Sequence, residues 1–183
     1  TDEALVDFLQ DTKRAMPRVE LLRNEQNRGF VVSANRGMRR AEGRNVVLLN
    51  SDTIVVEGFI DKLAACAYAD ERTGIVSPLT NNGTICSVPQ FCADNDLPAD
   101  MSVDEYGRLI SDTSLRQRPE LVTAVGFCMY VRAEVFGRIG YFDEDRFGRG
   151  FGEENDFCER AKAAGYAIRL CDDLFIAHAG KAS

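Results

Sequence analysis

Two acidic clusters and the only histidine carry most of the chemistry open to this sequence. Asn50-Ser51-Asp52 directly follows the apolar run Val46 to Leu49. In open α/β sheets ligands bind beyond the carboxyl ends of strands, so a carboxylate there faces a site rather than a core. A single Asp can hold magnesium or manganese while a substrate's phosphates supply further oxygens; it can equally cap the loop into the next helix. Glu153, Glu154 and Asp156 follow glycines at 148, 150 and 152 and open a helical stretch. Carboxylates in a first helical turn are favoured by the unpaired amides there, and Asp156 has Arg160 four residues on for an ordinary surface pair. After a flexible glycine-rich approach they also suit a general base at the rim of a cleft. Consecutive helical residues diverge by about 100°, so at most one of Glu153 and Glu154 is expected to face any reacting atom. His178 stands just past the apolar run Leu174 to Ala177, where it is either a metal or phosphate ligand or incidental.

Asn27-Arg28-Gly29-Phe30, with Asn35 and Gly37, links a strand-like segment to a helical one, and its glycine permits close approach of backbone to a ligand. The G-x-G-x-x-G spacing of dinucleotide folds and the Lys-Ser or Lys-Thr of a P-loop are both missing, which disfavours a redox cofactor and ATP hydrolysis. Arg28, Arg36, Arg39, Arg40 and Arg44 outweigh Glu42 locally; they steer a diphosphate or merely solvate a helix face.

The elements that must position these residues follow from apolar periodicity. Helices are expected over 2–15, stopped by Pro17, then over 30–43, ended by Gly43, and over 57–69. Strands are expected at 19–23, 45–50 and 74–78; the middle one, without polar alternation, reads as buried on both faces of a parallel sheet. From 80 to 120 the pattern fails in a segment rich in Asn, Asp, Pro and Gly, with a short helix near 102–110; a loop that long is usually functional or mobile. Regularity returns with L-V-T-A-V and F-C-M-Y-V-R, a helical turn from 133, a helix to Ala164 and the strand Y-A-I-R-L. Such alternation is the signature of a single wound α/β domain over 1–183.

Composition sets the limits. The chain has 183 residues, with 22 Lys and Arg against 29 Asp and Glu for a net charge of -7, which argues against a nucleic-acid binder. A globular balance of 45% hydrophobic and 28% charged residues and a length that buries about 70% of the unfolded surface allow a true core. No run approaches the roughly 20 apolar residues of a membrane span, and the start is no signal peptide. The six scattered cysteines read as reduced thiols packed as small hydrophobes, hence a cytoplasmic location; only Cys86 and Cys92 are close enough to suggest a disulfide or metal pair.

Taken in order, these pieces resemble the inverting family 2 glycosyltransferases. The resemblance rests on N-R-G-F-V-V-S-A-N-R-G at 27–37, L-L-N-S-D-T at 48–53, G-F-C-M-Y-V-R at 126–132, G-Y-F-D-E at 140–144, F-G-E-E-N-D-F-C-E-R-A at 151–161, A-G-Y at 164–166 and H-A-G-K-A-S at 178–183. It implies a Rossmann-like GT-A three-layer sandwich with a mixed, mostly parallel central sheet, lacking the family's first strand. Asn50, Ser51 and Asp52 occupy the D-x-D position, where only Asp52 keeps the metal-binding carboxylate. Glu154 matches the expected base, with Asp156 and then Glu153 as competitors. His178 matches a histidine that holds the metal or diphosphate, with Ser183 beside it, and Gly29 and Asn35 fall in the element lining the nucleotide pocket. The implied reaction is a single displacement from a nucleoside-diphosphate sugar to a saccharide or lipid-linked acceptor, dependent on magnesium or manganese, in polysaccharide or glycoconjugate synthesis. The loop from 80 to 100 is expected to contact donor or acceptor, and Phe147 to Gly152 to close as a flap. Membrane association would come from sequence outside this chain. The competing readings are a non-catalytic or truncated GT-A-like binding module and a nucleotidyltransferase of similar architecture.

Overall fold

A computed structural model describes residues 3–148 and 150–180. In chain order the elements are α1 (Glu3–Ala15), α2 (Gly29–Arg40), β1 (Val46–Leu49), β2 (Thr53–Ile54), α3 (Phe59–Ala67), β3 (Thr73–Leu79), α4 (Val103–Thr113), β4 (Cys128–Val131), α5 (Ala133–Ile139), α6 (Glu144–Phe147), α7 (Glu153–Ala163), β5 (Ala167–Phe175) and β6 (Ala177–His178). The main sheet runs β1-β4-β3-β5, with β4 antiparallel to both neighbours and β3 parallel to β5. It is therefore mixed: β1, β3 and β5 share a direction and β4 runs against them. A separate two-stranded ribbon joins β2 to β6.

Strand side chains alternate between faces, and here each face has its own core. Ile75, Met129, Val131 and Ile168 pack with Val31 and Met38 of α2, Val135 of α5 and Phe157 and Ala161 of α7. Their neighbours Val76, Cys128, Tyr130 and Cys171 pack with Leu63, Cys66 and Ala67 of α3 on the opposite face. This gives the three-layer α/β/α sandwich. Fully buried phenylalanines at 127, 157 and 175 are worth roughly 1.5–3 kcal/mol each in burial.

Some elements differ from the sequence expectation, for physical reasons. β1 is an edge strand. Val46 and Leu48 meet one core and Val47 the other, but without a second neighbour they are only half-buried, and Leu49 is exposed. Residues 19–23 form no strand; side chains tie them to α2 instead, through Arg40 Nε, whose one N–H is shared between both Glu20 carboxylate oxygens, and an Arg36 Nη1 donation to the Arg23 carbonyl. L-V-T-A-V is not a strand either. It crosses between sheet and α7, the Val125 amide donating to Ser77 Oγ and the Ala124 amide to Cys158 Sγ.

Within the irregular 80–120 stretch, α4 is set by a capping box, Ser102 Oγ accepting from the Glu105 amide and Glu105 Oε2 from the Ser102 amide. It docks edge-on through Tyr106 against Phe175, ring centroids 4.8 Å apart. The Cys86–Cys92 pair does not form: all six cysteines are free thiols, and only Cys92 is exposed. No helix among the described residues is long and apolar enough to cross a membrane.

Candidate active site

Beyond the carboxyl end of β1 lies a cleft of about 410 Å³ lined by Asn50, Gly126, Phe127, Glu153 and Glu154, with Phe30 and Phe151 as its aromatic walls. The turn after β1 is locked because the Asn50 amide donates to the Phe127 carbonyl at 2.9 Å and the Asn50 carbonyl accepts from Thr53 Oγ1 at 2.7 Å. Strand end and β4 approach are thus held edge to edge.

The carboxylates enter from α7. Gly152, at φ 105°, turns the chain into that helix, a conformation open chiefly to glycine. Phe157, Cys158 and Ala161 anchor its inner face. Both Glu153 and Glu154 line the cleft. Glu153 is 3% exposed and its Oε2 has no hydrogen-bond partner. Burial, and next the charge of Glu153, push the Glu154 carboxyl above the ordinary glutamate range. A carboxylate raised towards neutrality is a better proton acceptor for a hydroxyl than an ordinary one. Gly126 lies so close to this group that a Cβ there would collide with Glu154 Oε1. The sequence contains that glycine in G-F-C-M-Y-V-R, but its need for space is visible only once α7 is in place.

The β2–β6 ribbon pairs Thr53 with His178, and the Ala179 amide donates to the Asp52 carbonyl. This brings Asp52 Oδ1 to 3.4 Å from His178 Nε2, with both side chains largely buried. His178 Nδ1 lies 2.6 Å from the Asn82 carbonyl. A carbonyl only accepts, so Nδ1 carries the proton; in the neutral imidazole Nε2 then presents a lone pair. Asp52 Oδ2 and His178 Nε2 are both buried and without a partner. Two lone-pair donors facing each other fit a divalent cation between them, and the hydrogen bond from Nδ1 to the Asn82 carbonyl fixes the ring as metal-ligating histidines are usually fixed. No cluster of three or more His, Cys, Asp or Glu suited to a metal occurs among the described residues, so further ligands would have to come from substrate or water. Phe127 joins the two halves: it lines the cleft and stacks on His178, centroids 5.3 Å apart.

Asn81 and Asn82 were not singled out by sequence beyond lying in the irregular loop. Asn81 brackets His178, Oδ1 accepting from its amide and Nδ2 donating to its carbonyl.

Other expected residues fall elsewhere. Asn35 is fully buried and spends its amide on structure: Nδ2 donates to the Phe142 carbonyl and Glu144 Oε1, and Oδ1 accepts from the Phe142 amide. It fastens G-Y-F-D-E to α2 and does not reach the cleft. Gly29, at φ 79°, opens α2 with its amide on Asn27 Oδ1; the residue that reaches the cleft is the next one, Phe30. Asp156 does not line the cleft, and its oxygens are taken by Arg146 at 3.1 Å and Arg160 at 2.8 Å. Ser51 is an exposed turn residue. Ser183 lies outside the described residues.

Two solved structures share this architecture. A GalNAc-T7 complex with UDP, GalNAc and Mn2+ superimposes with a TM-score of 0.71 at 16% identity, covering 97% of this chain and 36% of its own. The mannosyltransferase PcManGT from Pyrobaculum calidifontis, in complex with GDP-Man and Mn2+, gives a TM-score of 0.63 at 19% identity, covering 98% of this chain and 45% of its own. The chain thus spans less than half the length of either, and the likeness is one of fold. Among curated proteins no match was found. A family model described as "Glycosyltransferase like family 2" matches residues 1–183. With the mixed three-layer sheet and the order of its segments in agreement, this chain belongs to the glycosyltransferase like family 2.

Proposed function

We propose that the domain transfers a sugar from a nucleoside-diphosphate sugar to an acceptor hydroxyl with inversion at the anomeric carbon, aided by magnesium or manganese. The observation that carries this reading is the raised carboxylate of Glu154 in a cleft whose wall residue Phe127 stacks on His178, the partner of Asp52. Glu154 takes the acceptor proton as that oxygen bonds to the anomeric carbon, and the bond from that carbon to the donor's phosphate oxygen breaks, its electron pair leaving with the nucleoside diphosphate. Asp52 and His178 would hold the metal, whose positive charge would offset the negative charge of the diphosphate in a protein of net charge -7.

Glu154 is favoured over Asp156 because the latter's oxygens are committed to two arginines. Phe30 and Phe151, the second almost wholly exposed, offer flat apolar faces to a saccharide or lipid-linked acceptor. The nucleotides named with the two related structures, UDP and GDP-Man, support a nucleotide sugar as the donor class. Polysaccharide or glycoconjugate synthesis on the cytoplasmic side is the setting this reading suggests.

Calorimetric titration with UDP, GDP and dTDP sugars tests it. Binding of one of them in the presence of manganese, weakened at least tenfold in Asp52→Ala and in His178→Ala, is expected. Binding that is identical with and without manganese, or in either variant, contradicts the metal assignment.

A further inference from the structure

A second, smaller cleft of about 250 Å³ opens at the other end of the sheet. The shared direction of β1, β3 and β5 puts their carboxyl ends towards the Glu154 cleft, whereas Thr73 is the first residue of β3 and Arg169 lies near the start of β5. Thr73, Arg116, Arg118 and Arg169 line this second cleft, together with Asp70 and Cys66.

Two of its polar groups are buried without partners. Thr73 is fully buried, and its Oγ1 makes no hydrogen bond. Arg118 Nε is likewise buried and unpaired, and among the described residues no carboxylate lies within ion-pair distance of this guanidinium. Groups buried in this way forfeit their hydration and recover nothing until a partner arrives. The neighbouring arginines are only partly spent. Arg116 Nε meets Asp173 Oδ2 at 3.1 Å, Arg169 Nη2 meets Asp70 Oδ2 at 3.2 Å, and Arg169 Nη1 lies 3.7 Å from Glu120 Oε2. A guanidinium carries five N–H donors in a fork that matches phosphate oxygens, so donors remain on both.

The loop that delivers Arg116 and Arg118 is held firmly. Both residues have left-handed backbone, at φ 50° and 47°, a conformation that persists only where the surroundings over-determine it. Asp172 provides that hold by accepting from the amides of Gln117 and Arg118 and from Ser114 Oγ.

We propose that this cleft binds a tetrahedral oxyanion of the phosphate class, anchored by Arg118 and the Thr73 hydroxyl and completed by spare N–H groups of Arg116 and Arg169. The oxyanion supplies acceptors to the two orphaned groups and charge to the one unpaired guanidinium. It sits on the side of the sheet remote from the transferase cleft, so this site stands whether or not the transferase reading does.

Calorimetry at constant ionic strength, with inorganic phosphate and with methyl phosphate as titrants and chloride as the blank, tests the site on the whole chain. Saturable heat with phosphate is expected, with affinity falling at least tenfold in Arg118→Gln. Thr73→Val removes only the hydroxyl; it should weaken binding in the same direction while raising the melting temperature without phosphate, because an unsatisfied buried group is gone. Heat with phosphate alone identifies the free anion as the ligand, and heat with both identifies a monoester site. No saturable heat with either titrant, or wild-type affinity in both Arg118→Gln and Thr73→Val, overturns the proposal.

Discussion

In the proposed reaction Glu154 is the base, and its environment makes a directional prediction. Burial and the neighbouring Glu153 charge raise its carboxyl above the usual value of 4.5, and a base works only when ionised. Transfer activity should therefore rise with pH through a midpoint above 4.5, and Glu153→Gln, which removes one cause and leaves burial, should move that midpoint down; a pH–rate profile of both proteins checks it. The sign for stability is opposite. A folded-state carboxyl held above its unfolded value contributes stability below the unfolded value and loses it as pH rises through the folded one. Glu154→Gln should accordingly melt no lower than wild type at pH 7 while losing activity, a division between stability and function that thermal unfolding can read directly. Gly126→Ala should cost activity too, since the new methyl takes the space of Glu154 Oε1; a wild-type rate in that variant would mean Glu154 has another working position.

At the scale of elements, α2 and the β2–β6 ribbon show what the sequence can and cannot reveal. Of the apolar residues recurring at three and four positions, Val31, Ala34, Met38 and Ala41, the first three meet the core and mark the inner face of α2, but nothing in the sequence says whether a polar residue on that face turns to a ligand or to another segment. Asn35 turns to Phe142 and Glu144. Asn35→Ala should therefore destabilise the fold by about 1–3 kcal/mol, the cost of leaving buried backbone groups unpaired, without changing nucleotide affinity; denaturant unfolding and calorimetry separate the two. The reverse pattern, stability kept and affinity lost, would restore a nucleotide role. Asp52 and His178 were each legible from position after an apolar run, yet their meeting depends on a two-residue ribbon too short to leave a periodic signal. The missing strand at 19–23 has a different cause: an apolar run marks a segment able to pair, while pairing needs a neighbouring edge, and this segment is tied to side chains of α2 instead.

The molecule as a whole divides its sheet between two ends. Carboxylates, the lone histidine and exposed aromatics gather beyond the carboxyl ends of the strands, the position where open α/β sheets bind ligands; arginines gather at the opposite end. Its net charge of -7 makes a cation at Asp52 and His178 useful for an anionic donor, and chelation of divalent ions should suppress both donor binding and turnover. Whether Glu154 serves as the base in sugar transfer is read from nucleoside diphosphate release. With manganese and a panel of UDP-, GDP- and dTDP-sugars, the wild type should release diphosphate from one donor in the presence of an acceptor saccharide. Glu154→Gln should slow that release by about 10²–10⁴-fold with donor affinity unchanged. Release that continues undiminished in Glu154→Gln, or a wild type that turns over none of the donors, would contradict the account.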